Sequence, residues 1–208
     1  SRGLGDVYKR QDLFGDKDFT KALRNTSIYV VFVVPCSIAL SLLIAVLLNS
    51  NIKFRGLFQT IFFLPYVTSV IAIGLVWSWI FNSNYGLLNY VLSWFGIAKV
   101  QWLNKPKYAL PSLIIFSVWK SMAFDILIFL AGLQTIPKDL YNAARVDSTP
   151  RWRVFWKITV PGIAPMISYA FIMGFISAFK VYNEVFSLWG GTVSYTHLRA
   201  HETCADLV

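Results

Sequence analysis

Charge is what this 208-residue chain has least of. Only 14% of its residues are Asp, Glu, Lys or Arg, against 56% hydrophobic, and its mean hydropathy is +0.57. That balance excludes an ordinary soluble domain and an intrinsically disordered one. Acidic residues are the scarcer sign, 10 against 19 basic ones, for a formal net charge of +9. Such an excess would suggest nucleic acid in a soluble protein. Here most of the basic residues lie between apolar runs, so membrane topology accounts for them. Cysteine numbers two. Cys36 sits inside an apolar run as a small packing residue, so there is no disulfide framework. Histidine also numbers two. His197, His201 and Cys204 form an HxxxH-plus-Cys cluster that invites a zinc reading, but the spacing is weak and no fourth ligand is evident, so no metal is expected. There is no GxxxxGK[ST] phosphate loop, no GxSxG elbow and no HExxH helix. The chain is therefore not expected to hydrolyse ATP itself or to be an enzyme.

What it has instead is long apolar runs, each sufficient for a bilayer core of about 30 Å. Spans are expected at 27–48, 57–81, 109–133 and 163–189. Pro35, Pro65 and Gly74 are points where the first two can kink or pack closely. Residues 49–56 form a short basic loop with Lys53 and Arg55. Residues 82–108 are too polar to span, although 87–97 can form a short surface helix.

One island, 141–161, stands apart from these runs: YNAARVDSTPRWRVFWKITVP. Pro137 can open a helix ending near Asp147. Ser148 and Thr149 then supply a turn and an N-cap, with Pro150 at the first position of a second helix. In that second helix Trp152, Phe155, Trp156 and Thr159 fall at i, i+3, i+4 and i+7, with Arg151, Arg153 and Lys157 away from the centre of the stripe. Two readings stay open. The island is either an interfacial amphipathic helix resting on lipid headgroups, or a docking element for which Ala143 and Ala144 offer a close-approach surface.

The run Ala143-Ala144-Arg145-Val146-Asp147, with Phe155, Ile158 and Pro161 at their spacings, resembles the EAA loop of membrane-spanning subunits of binding-protein-dependent ABC importers. The segments 62–92, 127–141 and 179–191 resemble the carbohydrate-uptake branch of that family. The resemblance covers roughly 12–191. It implies an all-α polytopic membrane bundle of the type I ABC importer permease kind, with about four of six transmembrane helices retained in a fragment. Residues 1–11 and 192–208 fit no part of the pattern and resemble translated adapter sequence. By the same resemblance, the loop 134–161 is a cytoplasmic coupling loop, with Asn142, Ala143, Ala144, Arg145, Asp147, Ser148, Phe155 and Pro161 as its coupling residues. The implied partners are ATP-binding subunits, a second permease subunit, an extracytoplasmic solute-binding protein and the lipid of the cell membrane. ATP, the one cofactor involved, would be held by the partner. Asn142 stands where the family usually has Glu, and Ser148 where it usually has Gly. The first loses a charge offered to the partner and suggests a heterodimer. The second loses a residue that tolerates positive φ.

The loops 49–56 and 134–160 carry Lys53, Arg55, Lys138, Arg145, Arg151, Arg153 and Lys157. The opposite side carries Lys17, Lys21, Arg24, Lys99, Lys105 and Lys107. The positive-inside rule favours the first set as cytoplasmic, as the resemblance does. Four ionisable residues fall within expected spans, where each costs at least about 2.5–3.5 kcal/mol to insert unless it faces protein or water. Lys120 and Asp125 are about 140° apart round a helix and do not face each other. Lys180 and Glu184 can pair. These residues either pair structurally between helices or, with Tyr182 and Asn183, line a translocation path. Trp77, Trp79, Trp94 and Trp102 lie near expected span ends, as an aromatic belt does, and sugar contact is the other reading. A secondary transporter or channel using Lys120, Asp125 and Glu184 is the alternative function, and would leave the island unexplained. A permease for a solute other than sugar is a second.

Overall fold

A computed structural model describes residues 17–50 and 55–189. The expected artefactual tails, with His197, His201 and Cys204, lie outside the described residues, as does Lys53. The regular elements among the described residues are helices: α1 (Lys17–Asn49), α2 (Arg55–Val67), α3 (Val70–Ile80), α4 (Leu87–Trp94), α5 (Pro106–Thr135), α6 (Lys138–Val146), α7 (Arg151–Gly162), α8 (Ala164–Phe179) and α9 (Tyr182–Trp189). Within α7, Phe155–Thr159 is π-helical.

Two stretches, Thr20–Asn49 of α1 and Lys107–Thr135 of α5, are each long and apolar enough to cross a membrane. They contain the expected spans 27–48 and 109–133. Pro35 lies inside α1 without ending it. Up to two more crossings exist if α2 with α3, and α7 with α8, each count as one broken span. The expected span 57–81 is therefore not one helix. Pro65 removes a backbone donor near the end of α2, and the Leu64 carbonyl there accepts from both the Thr68 N–H at 3.2 Å and the Thr68 hydroxyl at 2.7 Å. The expected span 163–189 is also divided, since α8 ends at Phe179 and Lys180 and Val181 precede α9. No proline or glycine marks that break. Val181, Ser187 and Leu188 are buried, so packing rather than a local signal sets the direction of α9.

The chain divides into two compact units. One comprises 17–32 of the described residues, Val70–Ile114 and the segment from Ala178 onward. Here α3 lies tightly on α9. A Cβ placed on Gly74 would meet Ser187, its Oγ at 2.5 Å and its backbone carbon at 2.7 Å, so only glycine permits this approach. The connection after α3 is held by Asn89, which is 5% exposed. Its amide donates to the carbonyls of Ser83 at 3.1 Å and Val100 at 2.9 Å. Its Oδ1 accepts from the Val100 N–H at 3.2 Å and from Trp102 Nε1 at 3.0 Å. One side chain thus joins both ends of a loop that would otherwise leave polar backbone unpaired. Trp102 stacks obliquely near Phe81, ring centres 6.1 Å apart, and Trp189 Nε1 donates to the Leu103 carbonyl at 3.2 Å. Helix α4 ends at Trp94, three residues short of the expected 97. Gly96 there adopts φ +71°, with crossed bonds from Gly96 N–H to Ser93 and from Ile97 N–H to Leu92. These are the two bonds of a Schellman stop.

The other unit comprises Val33–Ser69 and Ile115–Ser177. Its core is formed by Leu42 and Ala45 of α1, Phe129 and Leu133 of α5, Ile136, Ile163, and Ala170 of α8. Small buried residues at four-residue intervals on α1, Ser37, Ser41 and Ala45, give that helix a narrow face for close packing. Tyr66 of α2 stacks on Phe124 of α5 with ring centres 5.1 Å apart.

Replacing Asn89 by Ala strands two carbonyls, an amide and an indole N–H in the first unit. Each buried orphan costs about 1–3 kcal/mol, so Asn89→Ala should lower the thermal unfolding midpoint of detergent-solubilised protein by several degrees. Asn89→Asp, which keeps the acceptor and loses the donors, should be destabilised as well. Unchanged melting of both variants would show that the clamp carries no stability.

Candidate functional site

The island folds as a helical hairpin in the second unit, and its corner is chemically specific. Helix α6 has Asp139 in its first turn and Arg145 in its last, the arrangement that complements a helix dipole. It ends in a left-handed residue, Ser148, with φ 49°. The Thr149 N–H bonds the Ala144 carbonyl at 2.9 Å, and the Ser148 N–H bonds the Arg145 carbonyl at 3.1 Å. This is again the Schellman pair, now with serine where glycine fits without a Cβ penalty. Among the described non-glycine residues, Ser148 is the one with positive φ. Pro150, rather than Thr149, then takes the N-cap position of α7, with extended backbone and no side-chain cap. Its carbonyl accepts from the N–H groups of Arg153 and Val154.

The expected greasy stripe on α7 is split. Phe155 and Ile158 pack against the unit's core and Thr159 is buried, but Trp152 is 71% exposed and Trp156 52%. The π-helical turn at Phe155–Thr159 displaces the later residues relative to Trp152. Pro161 explains it, because its ring crowds the Lys157 carbonyl four residues back and it offers that carbonyl no N–H. A sequence wheel drawn at 3.6 residues per turn misses that shift. Trp152, Phe155 and Trp156 still touch one another, with Trp152–Trp156 and Phe155–Trp156 ring centres 5.6 and 5.4 Å apart, both edge-to-face.

The hairpin is rooted where its two helices meet. Tyr141 Oη and Thr159 Oγ1 share a hydrogen bond of 3.1 Å, and Tyr141 also packs against the core. Ala144 turns inward and is buried. The expected close-approach surface of paired alanines is thus corrected: Ala143 is exposed and Ala144 is part of the packing. Asn142, Arg145, Asp147, Ser148 and Pro161 are all exposed, while Phe155 is half-buried. Val146, which the motif reading did not single out, is 85% exposed. Its signal was available, since an apolar residue beside the left-handed corner of an otherwise polar surface has no core to enter. What the site offers is a rigid, convex corner carrying one apolar side chain between a cation and an anion, Arg145 and Asp147. Such a surface suits docking rather than chemistry.

The expected path residues divide between the two units. Asp125 is buried on α5, and Lys120 is half-buried on the same helix. In the other unit Tyr182 and Asn183 are exposed and Glu184 is half-buried, with Tyr182 stacked on Phe186 at 6.1 Å between ring centres. Lys180 precedes α9, so it and Glu184 do not share one helix. Among the described residues no group of three His, Cys, Asp or Glu side chains could hold a metal ion.

Comparison with known proteins agrees with this architecture. Residues 37–193 match the family described as binding-protein-dependent transport system inner membrane component. The arabinooligosaccharides transport system permease protein AraP of Halalkalibacterium halodurans is 36% identical over 173 residues, 82% of this chain and 55% of the relative. The trehalose/maltose transport system permease protein MalF of Thermococcus litoralis is 38% identical over 152 residues, 73% of this chain and 52% of the relative. The lactose transport system permease protein LacF of Rhizobium radiobacter is 33% identical over 193 residues, 91% of this chain and 63% of the relative. The chain thus spans between about half and just under two thirds of the length of these relatives. In fold it is similar to a chain of a bacterial alginate ABC transporter crystallised with an alginate pentasaccharide-bound periplasmic protein, with a TM-score of 0.69 and 22% identity, covering 94% of this chain and 80% of that one. A second alginate importer structure gives a TM-score of 0.67 at 25% identity, covering 94% of this chain and 76% of that one. An all-α membrane protein with this helix order and this match over most of its length belongs to the binding-protein-dependent transport system inner membrane component family, the permeases of ABC importers.

Proposed function

We propose that this chain is the membrane-spanning portion of an ATP-driven importer for sugars. In this reading a solute-binding protein delivers substrate on the extracytoplasmic side, and the hairpin 137–161 receives the motion of a separate ATPase subunit on the cytoplasmic side. One observation carries the docking role: the exposed corner of Arg145, Val146, Asp147 and Ser148, rooted in the core through Tyr141, Thr159 and Phe155. A corner so rooted moves with α5 and α8 rather than flexing alone, and coupling between sites requires such a two-state rigid element. Sugar as the substrate class rests on the names of AraP, MalF and LacF. The sequence carries no GxxxxGK[ST] phosphate loop, so in this reading hydrolysis is assigned to the partner. Lys120, Asp125, Tyr182, Asn183 and Glu184 are proposed to line the translocation path, and the second permease subunit is proposed to be a different chain.

The test is to express the full-length protein with an ATPase subunit encoded beside it and to measure sugar uptake and ATP hydrolysis together. Arg145→Glu and Asp147→Arg should each reduce uptake at least about tenfold, the loss expected from roughly 1.4 kcal/mol of docking energy, while the ATPase keeps its nucleotide binding. Uptake that continues without any ATPase would favour a secondary transporter or channel. The corner supplies a second expectation. Ser148→Gly relieves a left-handed conformation that costs roughly 1–2 kcal/mol in an L-residue, partly offset by glycine's greater entropy loss on folding. It should raise thermal stability while leaving uptake at or above the wild-type rate, and a destabilised Ser148→Gly protein would contradict the capping geometry.

A further inference from the structure

Helix α7 carries more than the docking corner uses. It meets α8 at 68°, nearer perpendicular than collinear, with Ile163 alone between them. Helix α8 reads APMISYAFIMGFISAF, without a charge, and exposes Phe171, Ile172, Phe175, Ile176 and Phe179, side chains that only lipid or another apolar surface can cover. With α8 along the bilayer normal, a helix leaving its end at that angle lies closer to the bilayer plane than to the normal. On α7, Trp152 and Trp156 are exposed at four-residue spacing, and Arg151, Arg153 and Lys157 are exposed beside them. No acidic residue occurs anywhere from 148 to 183. Indole rings exposed at the level where a span begins sit where their amphipathic character is best satisfied. Basic residues there are drawn to anionic headgroups, and an exposed α7 has no acid of its own to compete with them.

We propose that α7 is a lipid anchor: Trp152 and Trp156 enter the headgroup–acyl boundary, and Arg151, Arg153 and Lys157 bind anionic phosphate headgroups of the same leaflet. The hairpin then divides its labour. Helix α6 and the Ser148 corner face a protein partner, while α7 fixes the height of that corner above the bilayer. The reading rests on the docking role of α6 only for its purpose, since the lipid contact itself requires no partner.

The experiment uses the full-length protein in nanodiscs without any ATPase subunit, so that a failure of the docking reading leaves it untouched. Tryptophan fluorescence is compared between discs containing acyl-brominated phosphatidylglycerol and discs containing acyl-brominated phosphatidylcholine. The Trp152→Phe/Trp156→Phe variant identifies the contribution of the two indoles by difference. That contribution should be quenched by the brominated lipids, more strongly by the anionic one, and the preference should fade at high salt. Neutralising Arg151, Arg153 and Lys157 to Gln should remove the preference, by up to about fivefold per residue. The charge-retaining variant Arg151→Lys/Arg153→Lys should keep it, which separates charge from misfolding. Indoles that brominated lipids leave unquenched would overturn the proposal, as would indoles that become shielded from aqueous iodide only when the ATPase subunit is added, for then the surface is a protein contact.

Discussion

The corner at Ser148 depends on two crossed hydrogen bonds, Thr149 N–H to Ala144 and Ser148 N–H to Arg145, and most of the candidate site depends on that corner. They stop α6, turn the chain back and set the register at which Tyr141 meets Thr159. That register in turn places Ala144 inside and Val146 outside. The same pair of bonds stops α4 at Gly96, so the chain contains its own comparison. At Gly96 the left-handed residue has no side chain to strain. At Ser148 the corner holds against a Cβ, which requires that α6 and α7 be fixed from both ends by packing. The Tyr141–Thr159 bond and the burial of Phe155 and Ile158 are what fix them.

Each half of the hairpin answers a different physical demand. Helix α6 is short and polar, and its exposed corner combines Arg145, Val146 and Asp147, both charge signs and one apolar group, as a protein contact requires. Helix α7 is basic and aromatic and lies steeply inclined to the apolar α8, as a membrane surface requires. In the proposed roles, α6 facing a protein partner and α7 facing lipid, a firm link between the two conveys displacement without dissipating it in bending. In the other unit the demand is polar satisfaction. Asn89 serves four backbone and side-chain partners at once, which lets an irregular loop stay packed beside membrane-spanning helices.

The sequence made the class of fold plain, because four long apolar runs, two of them without any charge, in a chain with so few acids admit little besides a helical membrane protein. It also located the hairpin, and it marked Ser148 as the position where positive φ would be awkward. Two kinds of feature escaped it. The separation of exposed Trp152 and Trp156 from inward-packed Phe155 and Thr159 was hidden because periodicity assumes 3.6 residues per turn, and Pro161 imposes a wider turn on the residues before it. The division of 163–189 was hidden because no proline or glycine stands at Lys180 and Val181; the burial of Val181, Ser187 and Leu188 decides it, and burial is not local. Asn89 was likewise invisible, since an asparagine in a loop reads as turn chemistry until its four partners are seen together.

The account stands or falls on what touches the corner. A photo-crosslinking amino acid introduced at Val146, which is 85% exposed and outside the packed core, reads this directly in the assembled transporter. The account predicts a crosslink to the ATPase subunit that strengthens or weakens when nucleotide is added. A crosslink confined to lipid, or to another part of this chain, with nucleotide without effect, would contradict it.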